Sequence, residues 1–178
     1  MEFDFKGTTI IGVAKDGKHV IAGDGQATLN NVVFKATAKK VKRIYNDQVI
    51  VGFAGGAADG ITFCDKFEKM LKKYSGNLLR SAVELAQLWR GDESMRKLDA
   101  VMIVADKDMM LVINGVGDVM EPDEGVCAIG SGGNFALAAA KALVQNTKLS
   151  AREIAEKSLK VASEMCIYTN DHITVEEI

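Results

Sequence analysis

Hydrophobic periodicity changes four times along this chain, and the order of the changes restricts the fold more than any other feature. Thr8 to Lys15 and Lys18 to Gly23 are β-branched or small, with Asp16-Gly17 between them as a two-residue hairpin signal. A loop is expected over Gly23 to Asn31. Two more β-rich runs follow, Val32 to Ile44 with an interruption and Gln48 to Ala54, with Asn46-Asp47 as their turn. From Ala57 to Tyr74 the period lengthens: Ile61, Cys64, Phe67, Met70 and Leu71 recur at spacings of three and four, which marks an amphipathic helix. Leu78, Leu79, Ala82, Leu85, Ala86 and Trp89 repeat the pattern behind Asn77, a candidate N-cap.

Strand signals return at Ala100 to Ala105, Met109 to Asn114, Asp118 to Glu121 and Val126 to Ile129. After Gly130-Ser131-Gly132-Gly133 an alanine-rich helix is expected to about Gln145. Ser150-x-x-Glu153 is a capping box that opens a last helix reaching about Ile167, and His172 to Ile178 reads as a closing strand. Strands joined by hairpins, a helix pair, more strands and a second helix pair predict an α+β fold: two antiparallel sheets face to face, with helices over each outer side.

Composition excludes several functions. At 178 residues and 48% hydrophobic content the chain can bury the core of one domain, and a net charge of −2 argues against a nucleic-acid surface. Seventeen glycines against the single Pro122 leave the turns to Gly, Asn and Asp. His19, His172 and three scattered cysteines (Cys64, Cys127, Cys166) form no zinc pattern and fit a reducing compartment. The acidic start Met-Glu-Phe-Asp-Phe-Lys-Gly has no signal-peptide character, and no apolar run is long enough to span a bilayer. A cytoplasmic protein without membrane contact is expected. Phosphate-binding glycine motifs are absent, so any nucleotide dependence is expected to come from a partner and not from nucleotide bound by this chain.

Three local strings attract chemical interest: Lys6-Gly7-Thr8-Thr9-Ile10-Ile11-Gly12, Gly23-Asp24-Gly25-Gln26 and Gly52-Phe53-Ala54-Gly55-Gly56. Taken singly, each has an ordinary reading as a strand start, a turn or a helix entry. Lys39 to Arg43 likewise reads as a solvated basic strand edge.

In combination and order, TTIIGV, AGDGQATL, KKVKR, VGFAGG, AIGSGG, LSAREIAEKSL and CIYTND resemble the HslV-type threonine peptidases of bacterial proteasome-like proteases, from Thr8 to the C-terminus. The resemblance implies the four-layer αββα fold of N-terminal nucleophile hydrolases, in agreement with the order of elements. It implies that Thr8 is the nucleophile, with its own α-amine as base once nothing precedes it; an α-amine ordinarily titrates at about 7.7 to 8.0, which suits it to the task. By the same resemblance Lys40 is the active-site lysine, Asp24 its partner, Gly52 the backbone donor facing the oxyanion, Ser131 the serine near the amine, and Thr9 a residue lining the cleft. It further implies an HslU-type AAA+ ATPase unfoldase as partner, self-assembly into two stacked hexameric rings, unfolded protein substrates, and a monovalent cation, sodium, held by backbone carbonyls at Ser163, Cys166 and Thr169. A hydrated or Asn170-capped helix end is the other reading of that last segment.

Residues 1–7 depart from the family pattern, in which the reactive threonine commonly follows the initiator Met. They are expected to be a leader removed on maturation, with residues 8–178 as a single peptidase domain. A retained leader would make the chain a catalytically silent ring subunit; a small-molecule amidase using the same chemistry is a third reading.

Overall fold

The computed structural model describes residues 5–96 and 100–178. Of the expected leader, residues 1–4 lie outside the described residues.

A short strand β1 (Phe5–Lys6) precedes β2 (Thr9–Lys15) and β3 (Lys18–Gly23), which turn over Asp16 and Gly17, both at positive φ (52° and 74°). Then come β4 (Ala27–Leu29), β5 (Val32–Lys35), β6 (Val41–Ile44) and β7 (Val49–Gly55), the helices α1 (Ala57–Lys73), α2 (Leu78–Gly91) and the one-turn α3 (Glu93–Arg96). The second half runs β8 (Ala100–Ala105), β9 (Met110–Asn114), β10 (Val119–Met120), β11 (Val126–Gly130), α4 (Gly133–Asn146), α5 (Ala151–Met165) and β12 (Thr174–Glu177). Two differences from expectation stand out. Residues 27–29, expected as loop, form β4, and Phe5–Lys6 forms a strand paired to it.

Five strands in the order β10-β9-β8-β7-β6 make one antiparallel sheet and four in the order β11-β2-β3-β12 make the other. Between them lie Ile10, Ile21, Val41, Ile50, Ile103 and Met110. The outer face of the larger sheet packs Val51, Met102, Val104 and Ile113 against Phe63, Phe67, Leu85 and Trp89 of α1 and α2. On the other side Ile11, Val13, Val20 and Ala22 meet Ala136, Ala140, Ile154, Ala155 and Leu159 of α4 and α5. Successive residues of β2 and β3 thus serve opposite cores, Ile10 and Ile21 inward between sheets, Ile11 and Val20 outward to helices, as period-2 geometry requires. The result is the four-layer αββα sandwich.

The helix ends form as their sequences specify. Asn77 accepts from the Arg80 N–H (2.9 Å), and Ser150 and Glu153 form the reciprocal capping box. Among the described residues no helix is long and apolar enough to cross a membrane.

A third, small sheet has the order β1-β4-β5, with Phe5 opposite Leu29 and Lys6 opposite Thr28. It lays Phe5 and Lys6 along β4 and delivers Gly7 and Thr8 to the end of the sandwich where β2 starts and β3, β7 and β11 finish.

Candidate active site

Asp24 is fully buried at the end of β3, and each of its oxygens is occupied. Oδ1 accepts from the Thr9 N–H (2.8 Å) and from Lys40 Nζ (2.8 Å); Oδ2 accepts from the Gln26 N–H (3.0 Å) and the Asn170 N–H (3.3 Å). Each of these donors offsets part of the desolvation that burial imposes on a polar side chain. Lys40, just ahead of β6, is nearly as buried, and its three N–H donors go to Asp24, to the Gln26 carbonyl and to the Gly7 carbonyl (2.8 Å). Burial pushes the Lys40 ammonium below the ordinary lysine value, with the Asp24 carboxylate working the other way.

Thr8 is half-buried between these groups and the β11–α4 turn. Its hydroxyl donates to the Gly7 carbonyl (2.9 Å), so two donors, Thr8 Oγ1 and Lys40 Nζ, converge on the carbonyl of the bond before Thr8. Its own carbonyl accepts from the Ser131 N–H (2.8 Å). Gly130 makes that approach possible: at φ +89°, a Cβ there would lie 1.9 Å from the Thr8 oxygen. Thr8, Asp24, Lys40 and Ser131 are therefore brought together, with Ser131 engaged through its backbone and its side chain exposed.

Two expected roles need correction. Thr9 does not line the cleft. Strand alternation turns its side chain away from that of Thr8, and it is fully buried, its hydroxyl 2.7 Å from Thr169 Oγ1 and accepting from the Gly132 N–H (2.9 Å). Thr9 is a structural link between β2, the entry to α4 and the segment after α5.

Gly52 is likewise glycine for another reason than the one expected. A Cβ there would meet Ile10 Cγ2 at 2.6 Å and Ile21 Cγ2 at 2.8 Å, so the residue serves close packing between the sheets. The Phe53 N–H donates to the Lys40 carbonyl (3.3 Å), and ladder alternation then turns the Gly52 N–H toward β8, opposite Ile103, away from any oxyanion. Gly55, of the same parity as Phe53, points its N–H to the β6 side but lies beyond the start of β6 at Val41. Its φ is +127°, and its neighbour Ala54 sits 3.4 Å from a Cβ placed on Gly130, beside the Thr8 carbonyl. Gly55 was legible only as a helix-entry glycine.

Reasoning from sequence also missed Gln26 and Asn170. Asn170 does not cap α5. Its side-chain oxygen accepts from the Gly25 N–H (3.0 Å) and the His172 N–H (3.2 Å), and its amide donates to the Ala36 carbonyl (2.9 Å), fixing the loop that carries Asp24. Two of the three thiols are poorly suited to act as nucleophiles: burial pushes Cys64 up to about 11 and Cys127 up to about 12.

Ser163, Cys166 and Thr169, the residues expected to hold a monovalent cation, lie in the last turn of α5 and in the segment that follows it. Helix α5 ends where the Cys166 N–H meets the Ala162 carbonyl (2.8 Å), which puts Ser163 in the last turn, where carbonyls run out of helical donors. The Cys166 carbonyl accepts from the Thr169 N–H (3.1 Å) and keeps a second lone pair. Among the described residues no cluster of three His, Cys, Asp or Glu side chains is placed to hold a metal ion.

The family model for proteasome subunits matches residues 4–178. The ATP-dependent protease subunit HslV of Aquifex aeolicus (strain VF5) is 55% identical over 175 residues, covering 98% of this chain and 99% of that protein. The chain belongs to the HslV branch of the proteasome subunit family. Eukaryotic HslV from Trypanosoma brucei superposes with a TM-score of 0.90 at 42% identity, over 95% of this chain and 98% of that one. The structure of Thiobacillus denitrificans BPH in complex with epoxomicin shares the fold, with a TM-score of 0.77 at 20% identity over 96% and 97% of the two chains. As an HslV-family chain the protein is a protease subunit of proteasome type.

Proposed function

We propose that this protein is a threonine endopeptidase whose nucleophile is the Thr8 hydroxyl and whose base is the Thr8 α-amine, generated when residues 1–7 are removed. The observation that carries this reading is the convergence of Lys40 Nζ and Thr8 Oγ1 on the Gly7 carbonyl beside the buried Asp24–Lys40 pair. While Gly7 precedes Thr8, that carbonyl takes one of the three Lys40 donors. Once the leader is gone, this donor is free to turn to the Thr8 oxygen and stabilise negative charge developing there.

The same arrangement supports self-processing. Thr8 Oγ1 adds to the Gly7 carbonyl carbon while Lys40 stabilises the oxygen. The C–N bond to Thr8 breaks with proton transfer to that nitrogen, and water hydrolyses the ester to a Gly7 carboxylate and a free Thr8 hydroxyl. With a substrate peptide the sequence repeats: the amine takes the hydroxyl proton, the tetrahedral oxyanion faces the Gly55 N–H, the amine protonates the departing nitrogen, and water releases the acyl group. Ser131 holds the Thr8 carbonyl and so orients the amine.

The leader's antiparallel pairing with β4 supports an extended, unfolded chain as substrate, since main-chain pairing along β4 is indifferent to side chains. Since HslV of Aquifex aeolicus is an ATP-dependent protease subunit and this chain has no phosphate-binding loop, ATP use is assigned to an HslU-type AAA+ partner acting on two stacked hexameric rings in the cytoplasm. A monovalent cation, sodium, at the Ser163, Cys166 and Thr169 carbonyls would supply a fixed positive charge at the end of α5. Purified protein with the ATPase partner and ATP should degrade unfolded casein, and its mass should lack residues 1–7. Protein that keeps the leader and leaves casein intact supports the silent subunit instead; cleavage of small amides without the ATPase favours the amidase.

A further inference from the structure

Gln26 lies between the Asp24–Lys40 pair and two other parts of the molecule, and none of the steps above uses its side chain. It is 5% exposed, and both protons of its amide are engaged: Nε2 donates to the Ile167 carbonyl (2.9 Å), in the turn after α5, and to Thr28 Oγ1 (3.0 Å), on β4. The main chain of the same residue makes the other connections, its N–H to Asp24 Oδ2 and its carbonyl to Lys40 Nζ. One residue thus ties the ion pair to the strand along which the leader runs and to the segment that closes the site from the C-terminal side.

We propose that Gln26 is a positioning residue for hydrolysis: its amide, clamped between Thr28 and Ile167, fixes the direction of the Gln26 carbonyl, and this carbonyl holds Lys40 Nζ in line with the Thr8 oxygen. The inference rests on the peptidase reading above. An ammonium on a four-carbon stem has three rotatable donors and no preferred direction of its own. Asp24 supplies the charge that keeps it in place, but a single carboxylate oxygen leaves the ammonium free to swing. A second acceptor on a rigid support removes that freedom and leaves the third proton aimed at the reacting atom. The support is rigid because its two anchors come from independent parts of the fold, β4 and the α5–β12 connection. Loss of orientation by about 1 Å at a reacting group lowers turnover by about 100-fold. Substrate pairing along the β4 main chain would be little affected.

The test compares leader-free parent, Gln26→Met and Thr28→Val proteins, each with the ATPase partner and ATP, on a blocked fluorogenic tripeptide amide. Met fills the same volume without either donor, and Val removes only the hydroxyl that accepts one of them. The expected result is a fall in kcat of about 10- to 100-fold for Gln26→Met with KM within about twofold of the parent, and a smaller fall of the same kind for Thr28→Val. A raised KM at unchanged kcat would make Gln26 a wall of the cleft and overturn the proposal, as would both variants keeping kcat within about twofold. If Gln26→Met does not assemble, Thr28→Val decides, and parental turnover there overturns the proposal. A leader-free parent that leaves the tripeptide intact defeats the peptidase reading itself, a different outcome from the failure of either variant.

Discussion

At the scale of single residues, the site depends on a buried charge pair that no solvent supports. Removing one member strands the other: Asp24→Asn is expected to lose about 3 to 5 kcal/mol of stability in urea denaturation, together with peptide hydrolysis. A variant as stable as the parent would mean that the cage of N–H donors, and not the Lys40 charge, sets the stability of this corner. The same burial gives the pH dependence a definite sign. Under the proposed mechanism hydrolysis needs Thr8's amine neutral, so kcat/KM should rise with pH as that amine loses its proton, a step that an ordinary α-amine takes at about 7.7 to 8.0. The same mechanism needs Lys40 charged; because burial lowers that pKa, the alkaline fall should begin below the ordinary lysine value of 10.5. A pH profile on leader-free protein checks both limbs, and activity undiminished beyond the ordinary lysine range would remove Lys40 as the required cation. For stability the sign is opposite to that of a lysine whose pKa is raised. The native state sheds the Lys40 proton before the unfolded chain does, so this group's contribution grows as pH rises from its lowered value toward 10.5 and is lost as pH falls back through the lowered value.

At the scale of elements, the local rules read well wherever a segment's own pattern decides. The hairpin over Asp16-Gly17, the three- and four-residue spacing in α1 and α2, the Asn77 cap and the Ser150–Glu153 box all form where their residues place them. Ser150→Ala should therefore lower stability by about 1 kcal/mol and leave hydrolysis untouched, measurable in one thermal melt and one activity assay. Thr8, Asp24, Lys40 and Ser131 were legible from motif order and come together at one end of the sandwich. What escaped were features decided by partners remote in sequence. β4 is three residues long and β1 two, too short to carry a pattern; β4 exists between β1 and β5, and β1 only against β4. Thr9 and Gly52 sat in strings whose order was informative while the strand face on which each lies was not. That face follows from register: β2 turns Thr9 toward Thr169, and β7 turns Gly52 toward Ile10 and Ile21. Thr9→Val leaves the Gly132 N–H and the Thr169 hydroxyl without their partner, and a loss of about 1 to 3 kcal/mol is expected. Unchanged melting would show that water replaces the hydroxyl there.

For the whole molecule, the proposed removal of residues 1–7 is the step on which the peptidase reading turns. Thr8→Ala protein should retain residues 1–7 on intact-mass measurement if the chain processes itself; loss of the leader from that variant would assign the cut to another protease. Light scattering on parent and variant, both expected as stacked hexameric rings, separates processing from assembly.

The cage around Asp24 also sets a clock. One of its four donors is the N–H of Asn170, and Thr8 itself is held by Ser131 and given room by Gly130, so groups far downstream complete a site whose nucleophile is made well before them. A nascent chain still missing its final helix has Thr8, Asp24 and Lys40 in hand yet lacks the parts that aim them. Under self-processing, leader release is then a proofreading step: a chain acquires its destructive amine only after Asn170 has been made and folded against Asp24, and one that misfolds stays harmless.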